Sequence, residues 1–202
     1  MDRATAEAMS PVFYEVVVAP DYTPDALEIL TQKRNLRILA VDPVSQGRQF
    51  TGYDYRVISG GILVQHLDTS LDDPNLWQTA TDREPTEQER RDLAFAWKAV
   101  KHIKSNAIVF AKGQTLVGMG AGQPNRVVSV HLAQRIADAK AIGSVIASDA
   151  FFPFPDNIEL AHQAGITAII QPGGSIRDDE VIAEANKNNM AMLFTGIRHF
   201  RH

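Results

Sequence analysis

Apolar and β-branched residues first gather at Phe13 to Ala19 (FYEVVVA), a run that predicts a buried strand. Pro20 ends it, because proline cannot donate to a sheet ladder. Thr23-Pro24 reads as an N-cap followed by proline at the first helical position, with Ala26, Leu27, Ile29 and Leu30 as the apolar face and Asn35 as the stop. Leu36 to Val41 and Tyr53 to Ile58 predict two more strands. Apolar residues then thin out from Leu67 to Thr86, where Asp72-Asp73-Pro74 and Glu84-Pro85 mark turns and a loop is expected. Thr86-x-x-Glu89 is a capping-box signature, and Leu93, Ala96, Trp97, Val100 and Ile103 follow at helical spacing. Ser105 to Ala111 predicts a strand, and Lys112-Gly113 a tight turn into Thr115 to Met119, the second arm of a hairpin.

From Arg126 the pattern becomes regular. A helix is expected from Arg126 to Lys140 with Val127, Val130, Ala133, Ile136 and Ala137 inward, followed by a strand at Ser144 to Ala147. Asn157 to Gln163 predicts a helix closed by Gly165, Ile166 to Ile170 a strand, Asp178 to Asn186 a helix, and Met190 to Phe194 the last strand. Strands alternating with helices over short connections imply parallel pairing and right-handed crossovers, hence a layered α/β fold with a mixed, mostly parallel sheet.

Composition narrows the chemistry. The 202 residues contain no cysteine, which excludes disulfides, thiolate zinc sites, iron–sulfur clusters and a cysteine nucleophile. Twenty basic against 24 acidic residues argue against nucleic acid as a partner. No apolar run approaches the ~20 residues of a membrane helix, and the first residues lack the apolar stretch of a signal peptide, so a cytoplasmic location is expected. Six scattered histidines show no paired-ligand spacing, so no metal is expected.

Ligands of open α/β sheets bind outside the carboxyl ends of the strands. Three segments fall there: Asp149-Ala150-Phe151-Phe152-Pro153-Phe154-Pro155-Asp156, Gln171-Pro172-Gly173-Gly174-Ser175, and Arg198-His199-Phe200-Arg201-His202. The first reads either as a slot for a flat heterocycle or as an apolar plug over the sheet edge. The second reads as an anion site at a helix start or as a flexible turn with a serine cap. In the third, Arg198 can fork onto phosphate or carboxylate and His202 can carry a proton. A fourth segment, Gly118-Met119-Gly120-Ala121-Gly122-Gln123-Pro124-Asn125-Arg126, looks superficially like a dinucleotide fingerprint, but the spacing fails, since Gln123-Pro124 stands where the third glycine would be expected.

Together these segments resemble a known family. Ser105-Asn106, Phe110-Ala111-Lys112, Gly118-x-Gly120-Ala121-Gly122-Gln123-x-x-Arg126, Ser148-Asp149-Ala150-Phe151-Phe152-Pro153-Phe154, Gln171-Pro172-Gly173-Gly174-Ser175 and the final pentapeptide are similar, in order and interval, to AICAR transformylase, the carboxy-terminal domain of the bifunctional purine biosynthesis protein. That resemblance runs from about Thr5 to the last residue. It implies transfer of a formyl group from the co-substrate 10-formyltetrahydrofolate to AICAR on the way to IMP, and a fold of two cytidine-deaminase-like α/β/α units without zinc. Residues 1–85 would then be a connecting segment with part of the first unit, and 86–202 the second unit. It also implies that Glu15, Asn106, Phe151, Arg198, Phe200 and His202 hold AICAR, that Arg126, Val127, Asp156, Ser175 and Ile176 face the folate, and that the protein is a homodimer.

The resemblance has a gap. The family's proton-transfer pair lies in a K-H-x-N-P-C-G motif, and the one Lys-His here, Lys101-His102, sits among the wrong neighbours. The family's S-x-F-G-G segment and its amino-terminal cyclohydrolase domain are missing too. Three readings stay open: an enzyme portion that needs a complementing chain carrying the Lys-His pair, a non-catalytic AICAR- or folate-binding module, and a structural remnant with an exposed apolar face.

Overall fold

The computed structural model describes residues 1–41, 52–70 and 72–201. The chain divides into two compact units, Met1–Thr69 and Ser70–His202. Residues 70–85, expected with the first part, hydrogen-bond into the second: the Ala80 amide donates to Met192 O at 2.9 Å and the Met192 amide to Thr81 Oγ1 at 2.8 Å.

The first unit opens with α1 (Arg3–Met9), capped by Asp2, whose carboxylate accepts from the Thr5 amide. β1 (Val16–Ala19) leads to α2 (Pro24–Leu30), and β2 (Arg37–Ala40) returns parallel to β1. Proline stands at the start of α2 as expected, but the helix ends at Leu30, short of Asn35. Ala6, Ala26 and Leu30 form its small core. A two-stranded sheet covered by helices on one face buries only alternate side chains. Val17 is therefore buried, while Val16, Val18 and Phe13 (84% exposed) are not, so the expected buried strand starts later and is buried on one side only. β3 (Tyr53–Ile58) matches the expected span and pairs antiparallel with β4 (Gly61–His66), a strand the apolar pattern did not bring out.

In the second unit, β5 (Gln78–Thr79) precedes α3 (Glu87–Val100), and β6 (Ile108–Lys112) and β7 (Thr115–Gly120) form the expected hairpin. Then follow α4 (Arg126–Ala137), β8 (Val145–Ser148), α5 (Asp156–Gln163), β9 (Ala168–Gln171), α6 (Asp178–Lys187) and β10 (Ala191–Phe194). The described strands order as β5-β10-β9-β8-β6-β7. Only β8–β9 and β9–β10 pair in parallel; β5–β10, β6–β7 and β6–β8 are antiparallel, so the sheet is mixed but not mostly parallel. The cause is the hairpin. It turns β6 against β8, whereas the helical crossovers that follow keep β8, β9 and β10 in one direction.

Alternation across the sheet builds three layers. Ile108, Phe110, Ile146, Ile169 and Met192 face a core shared with α4, α5 and α6. Val109, Ala111, Val145, Ala147 and Ile170 face Leu93, Ala96, Trp97 and Val100 of α3. On α4 the buried positions are Arg126, Ser129, Val130, Ala133 and Ala137. That stripe leaves Ile136 on the flank, 61% exposed rather than inward, and Val127 half-buried. No described helix is long and apolar enough to cross a membrane.

The capping box predicted at α3 is formed on both sides: Thr86 Oγ1 accepts from the Glu89 amide, and the Glu89 carboxylate accepts from the Thr86 amide. Arg83 forks onto the same carboxylate at 2.9 Å. Burial pushes the Glu89 carboxyl up, but the Arg83 and Thr86 hydrogen bonds outweigh it and hold the group at about 2, against 4.5 ordinarily. A carboxylate whose folded pKa is depressed stabilises the fold above its unfolded value, and that stability is lost as pH falls from 4.5 toward about 2. Glu89→Gln is therefore expected to lower stability by about 1–2 kcal/mol at pH 7, with the difference from wild type vanishing only below pH ~2. Thermal melts at both pH values check this.

Candidate functional site

Because β8, β9 and β10 run in one direction, their carboxyl ends meet at one edge of the sheet. β6, antiparallel to β8, starts at that edge, and β7 finishes there: Ile108 pairs with both Ser148 and Gly120. The edge thus gathers residues 105–107, 120–126, 149–156, 171–175 and 195–201. The geometry brings together parts of the chain that lie up to about a hundred residues apart.

At its floor lies a buried ion pair. Asp149, fully buried after β8, accepts from Arg126 Nη1 at 2.5 Å and from Ser105 Oγ at 2.6 Å. Arg126, the first residue of α4 and 6% exposed, also donates to Ser148 Oγ (2.8 Å) and to Asn106 Oδ1 (2.9 Å). Asn106 in turn donates from Nδ2 to Gln123 O at 2.9 Å, and its carbonyl accepts from Ser129 Oγ at 2.8 Å. The Ser105–Asn106 peptide is cis. Asn125 caps α4 by accepting from the Val127 amide. A carboxylate removed from water is tolerated only when its lone pairs are met by donors, and the described geometry supplies them.

Above this floor the walls are aromatic. The Phe-Pro loop splits its three rings. Phe152 is fully buried in the core, its amide donating to Gln171 Oε1 at 2.7 Å, and it serves as the plug; Phe151 and Phe154 line the cleft. The Arg198 guanidinium lies 5.4 Å from the centroid of Phe151 and 4.9 Å from that of Phe200, a cation held between two ring faces. The cleft measures about 410 Å³ and is lined by Asn106, Asn125, Arg126, Phe151, Phe154, Arg198 and Phe200, with Pro124 and Pro153 at its rim. A second hollow of about 350 Å³ shares Asn106 and Pro124 with it and adds Ser105, Gly122 and Gln123. Size, flat apolar walls and a few fixed polar groups suit a planar heterocycle carrying an anionic substituent.

Of the residues singled out in the sequence, Asn106, Arg126, Phe151, Arg198 and Phe200 meet in this cleft. Arg126 differs from the expectation in character: its guanidinium is spent on the chain's own oxygens. Val127, Asp156, Ser175 and Ile176 do not line the cleft. Asp156 is exposed at the start of α5, with its carboxylate on Asn157 Nδ2 at 2.7 Å, and Ile176 is fully exposed. At the diglycine corner, the Gly174 amide donates to Asp178 at 2.6 Å and Ser175 Oγ accepts from the Arg177 amide at 3.2 Å, so side chains of this segment already serve the donors expected to attract an anion. Arg177 links the corner to the cleft by lying 4.9 Å over Phe154. Glu15 belongs to the first unit, on a surface hollow of about 670 Å³ with Phe13, Tyr14, Lys33, Arg34 and Arg37. His202 lies outside the described residues. His102 sits just past α3, exposed, its carbonyl accepting from Arg201. Among the described residues no group of three or more His, Asp or Glu side chains is placed to hold a metal ion.

Pro124 and Asn125 stand in the sequence only as the end of the failed fingerprint, with no site role, though Asn before a helix start is a cap signal that draws attention to both. Asp149 was visible only as part of a motif. The ion pair it makes with Arg126 spans 23 residues and leaves no local trace.

The family model described as the AICARFT/IMPCHase bienzyme matches residues 1–136, which include Asn106 and Arg126. The chain belongs to that family. Bifunctional purine biosynthesis protein PurH of Streptococcus agalactiae serotype III (strain NEM316) is 52% identical over 203 residues, covering 100% of this chain and 39% of that protein. The protein of the same description from Dictyostelium discoideum is 51% identical over 203 residues, covering 98% of this chain and 38% of its own length. This AICARFT/IMPCHase chain thus spans about two fifths of the length of those relatives. Both matches extend past the family model to take in the Phe-Pro loop and the segment that carries Arg198. Among solved structures, a Thermotoga maritima diaminohydroxyphosphoribosylaminopyrimidine deaminase/5-amino-6-(5-phosphoribosylamino)uracil reductase aligns over 52% of this chain and 34% of that one, with 15% identity and a TM-score of 0.32, too slight a likeness to support an argument.

Proposed function

We propose that this chain is the AICAR- and folate-binding portion of an AICAR transformylase, acting in purine biosynthesis in the cytoplasm and built of cytidine-deaminase-like units, with residues 86–202 as the second of them. The observation that carries the reading is the Phe151–Arg198–Phe200 stack over Asn106 in one cleft. In formyl transfer the amino nitrogen of AICAR attacks the formyl carbon of 10-formyltetrahydrofolate. The carbon–N10 bond breaks, the amine gives up a proton, and N10 takes one. An aromatic amine is a weak nucleophile, so the site must hold both partners close and in line. The heterocycle would lie against the Phe151–Arg198–Phe200 stack, Arg198 would neutralise anionic charge, and Asn106, its orientation fixed by Arg126 and Gln123, would meet the carboxamide. Glu15 and His202 on the AICAR side, and Arg126, Val127, Asp156, Ser175 and Ile176 on the folate side, remain positions proposed from the family. Proton transfer is assigned to a Lys-His pair on a complementing amino-terminal chain, since Lys101-His102 lacks the neighbours of that motif and a second copy of this chain in a homodimer would lack them too.

Calorimetric titration of the purified chain with AICAR tests this. Arg198→Ala is expected to cost about 2 kcal/mol of binding, roughly 30-fold in Kd, from the lost charge and stacking. The chain alone is expected to give no formyl transfer. Absence of AICAR binding, or equal binding by Arg198→Ala, would overturn the reading.

A further inference from the structure

Behind the cleft, on the α3 side of the sheet, lies a group of side chains that the proposed function does not use. Asp72, ahead of β5, has a side chain only 10% exposed. Its Oδ2 accepts from Trp97 Nε1 at 2.9 Å and lies 3.1 Å from His199 Nε2. The His199 side chain is fully buried, with its ring 4.7 Å from the Trp97 ring at 49°. The other Asp72 oxygen, Oδ1, is buried with no hydrogen-bond partner among the described residues. A buried carboxylate with an unmet oxygen is a costly way to fill space; an apolar residue of similar volume would pack there at lower cost. What the carboxylate does hold is the His199 ring.

In the chain His199 stands between the two cleft residues Arg198 and Phe200. The His199 backbone amide donates to Asp149 O at 3.0 Å, and Arg201, two residues on, is tied by its amide to Ser105 Oγ (3.1 Å) and by its carbonyl to Ser105 N (2.8 Å). Fixing the His199 side chain on the far side of this segment sets which way its neighbours project. We propose that Asp72 is a positioning residue: by holding His199 against Trp97 it fixes the segment that presents Arg198 and Phe200 to the ligand cleft. The ligand half of this inference rests on the cleft being the AICAR site; the ordering of the segment does not.

The test compares wild type, Asp72→Ala and Asp72→Asn by residue-resolved hydrogen exchange and by AICAR titration. Asp72→Ala is expected to speed exchange of the His199 and Arg201 amides at least tenfold, with Ile146 and Ile169 in the sheet unchanged, and to weaken AICAR binding about tenfold. Asp72→Asn, which keeps an oxygen for Trp97 and His199, is expected to stay within about threefold of wild type in both. Uniformly faster exchange through the sheet would mark a general loss of stability and overturn the proposal. So would unchanged exchange at His199 and Arg201, or wild-type affinity in Asp72→Ala. Should wild type itself fail to bind AICAR, the proposed function falls, and the exchange pattern alone decides whether Asp72 orders this segment.

Discussion

Asp149→Asn is expected to destabilise the second unit by about 3–5 kcal/mol, because it leaves the buried Arg126 guanidinium without its counter-charge. The 2.5 Å pair sits at the floor of the cleft, with both side chains nearly out of water. Substitution also removes an acceptor from Ser105 Oγ, which helps to anchor Arg201. The loss should pass beyond stability. Arg126 orients Asn106, and the Asp149 carbonyl receives the His199 amide, so the floor and one wall of the cleft are disturbed together. Urea unfolding of Asp149→Asn, Arg126→Met and the double variant measures the coupling. The double variant, which removes both charges, is expected to recover at least half of the loss. Near-additive single effects would mean that the two side chains do not depend on one another.

Gly120→Ala is the second large effect. A Cβ at Gly120 would stand 2.0 Å from Ser129 O, and one at Gly118 2.2 Å from Ala133 O. These two glycines face one side of β7 and meet carbonyls one turn apart on α4, so the helix lies directly on the strand backbone. Neither carbonyl can move without taking the helix with it. The expected cost is about 3 kcal/mol or more, a fall in Tm of roughly 6–12 °C, since overpacking against backbone cannot be relieved by a rotamer change. Arg126 opens this same helix, so displacement of α4 should also weaken AICAR binding. Gly122→Ala serves as the control. No atom lies near its added Cβ, and only its φ of +67° resists the change, for about 1 kcal/mol. Equal melting temperatures for Gly120→Ala and wild type would contradict the close packing. The Gly-x-Gly spacing that failed as a cofactor fingerprint thus has a packing explanation.

What the sequence made legible was local. Thr86 and Glu89 lie three residues apart, and the reciprocal bonds of a capping box follow from that spacing alone; so does the turn between β6 and β7. The strand ends near Ser148, Gln171 and Phe194 were legible because short apolar runs alternate with helical periods. Strand direction was not, because nothing in Ile108 to Lys112 records that its neighbour runs the other way. β4 was missed for a related reason: Gly61 to His66 are all exposed, so no buried face imposes an alternating pattern on them. Longer-range polar contacts left still less trace. Asp92 reads as one more charge on an amphipathic helix, yet it is buried and receives the Gly113 and Gln114 amides that close the β6–β7 turn. Asp72 and His199 are separated by 127 positions, and no periodicity links them.

The proposed function depends on a planar, anionic aminoimidazole ribonucleotide seating in the cleft against Arg198 and the rings of Phe151 and Phe200 that hold it. NMR chemical-shift mapping with AICAR, using chain labelled at arginine side chains and phenylalanine rings, tests it most directly. The predicted result is a saturable shift of the Arg198 Nε–H resonance and of the Phe151 and Phe200 rings, with the buried Phe152 and Phe110 little changed. Saturable shifts confined to other surfaces, with Arg198 and both rings unmoved, would contradict it.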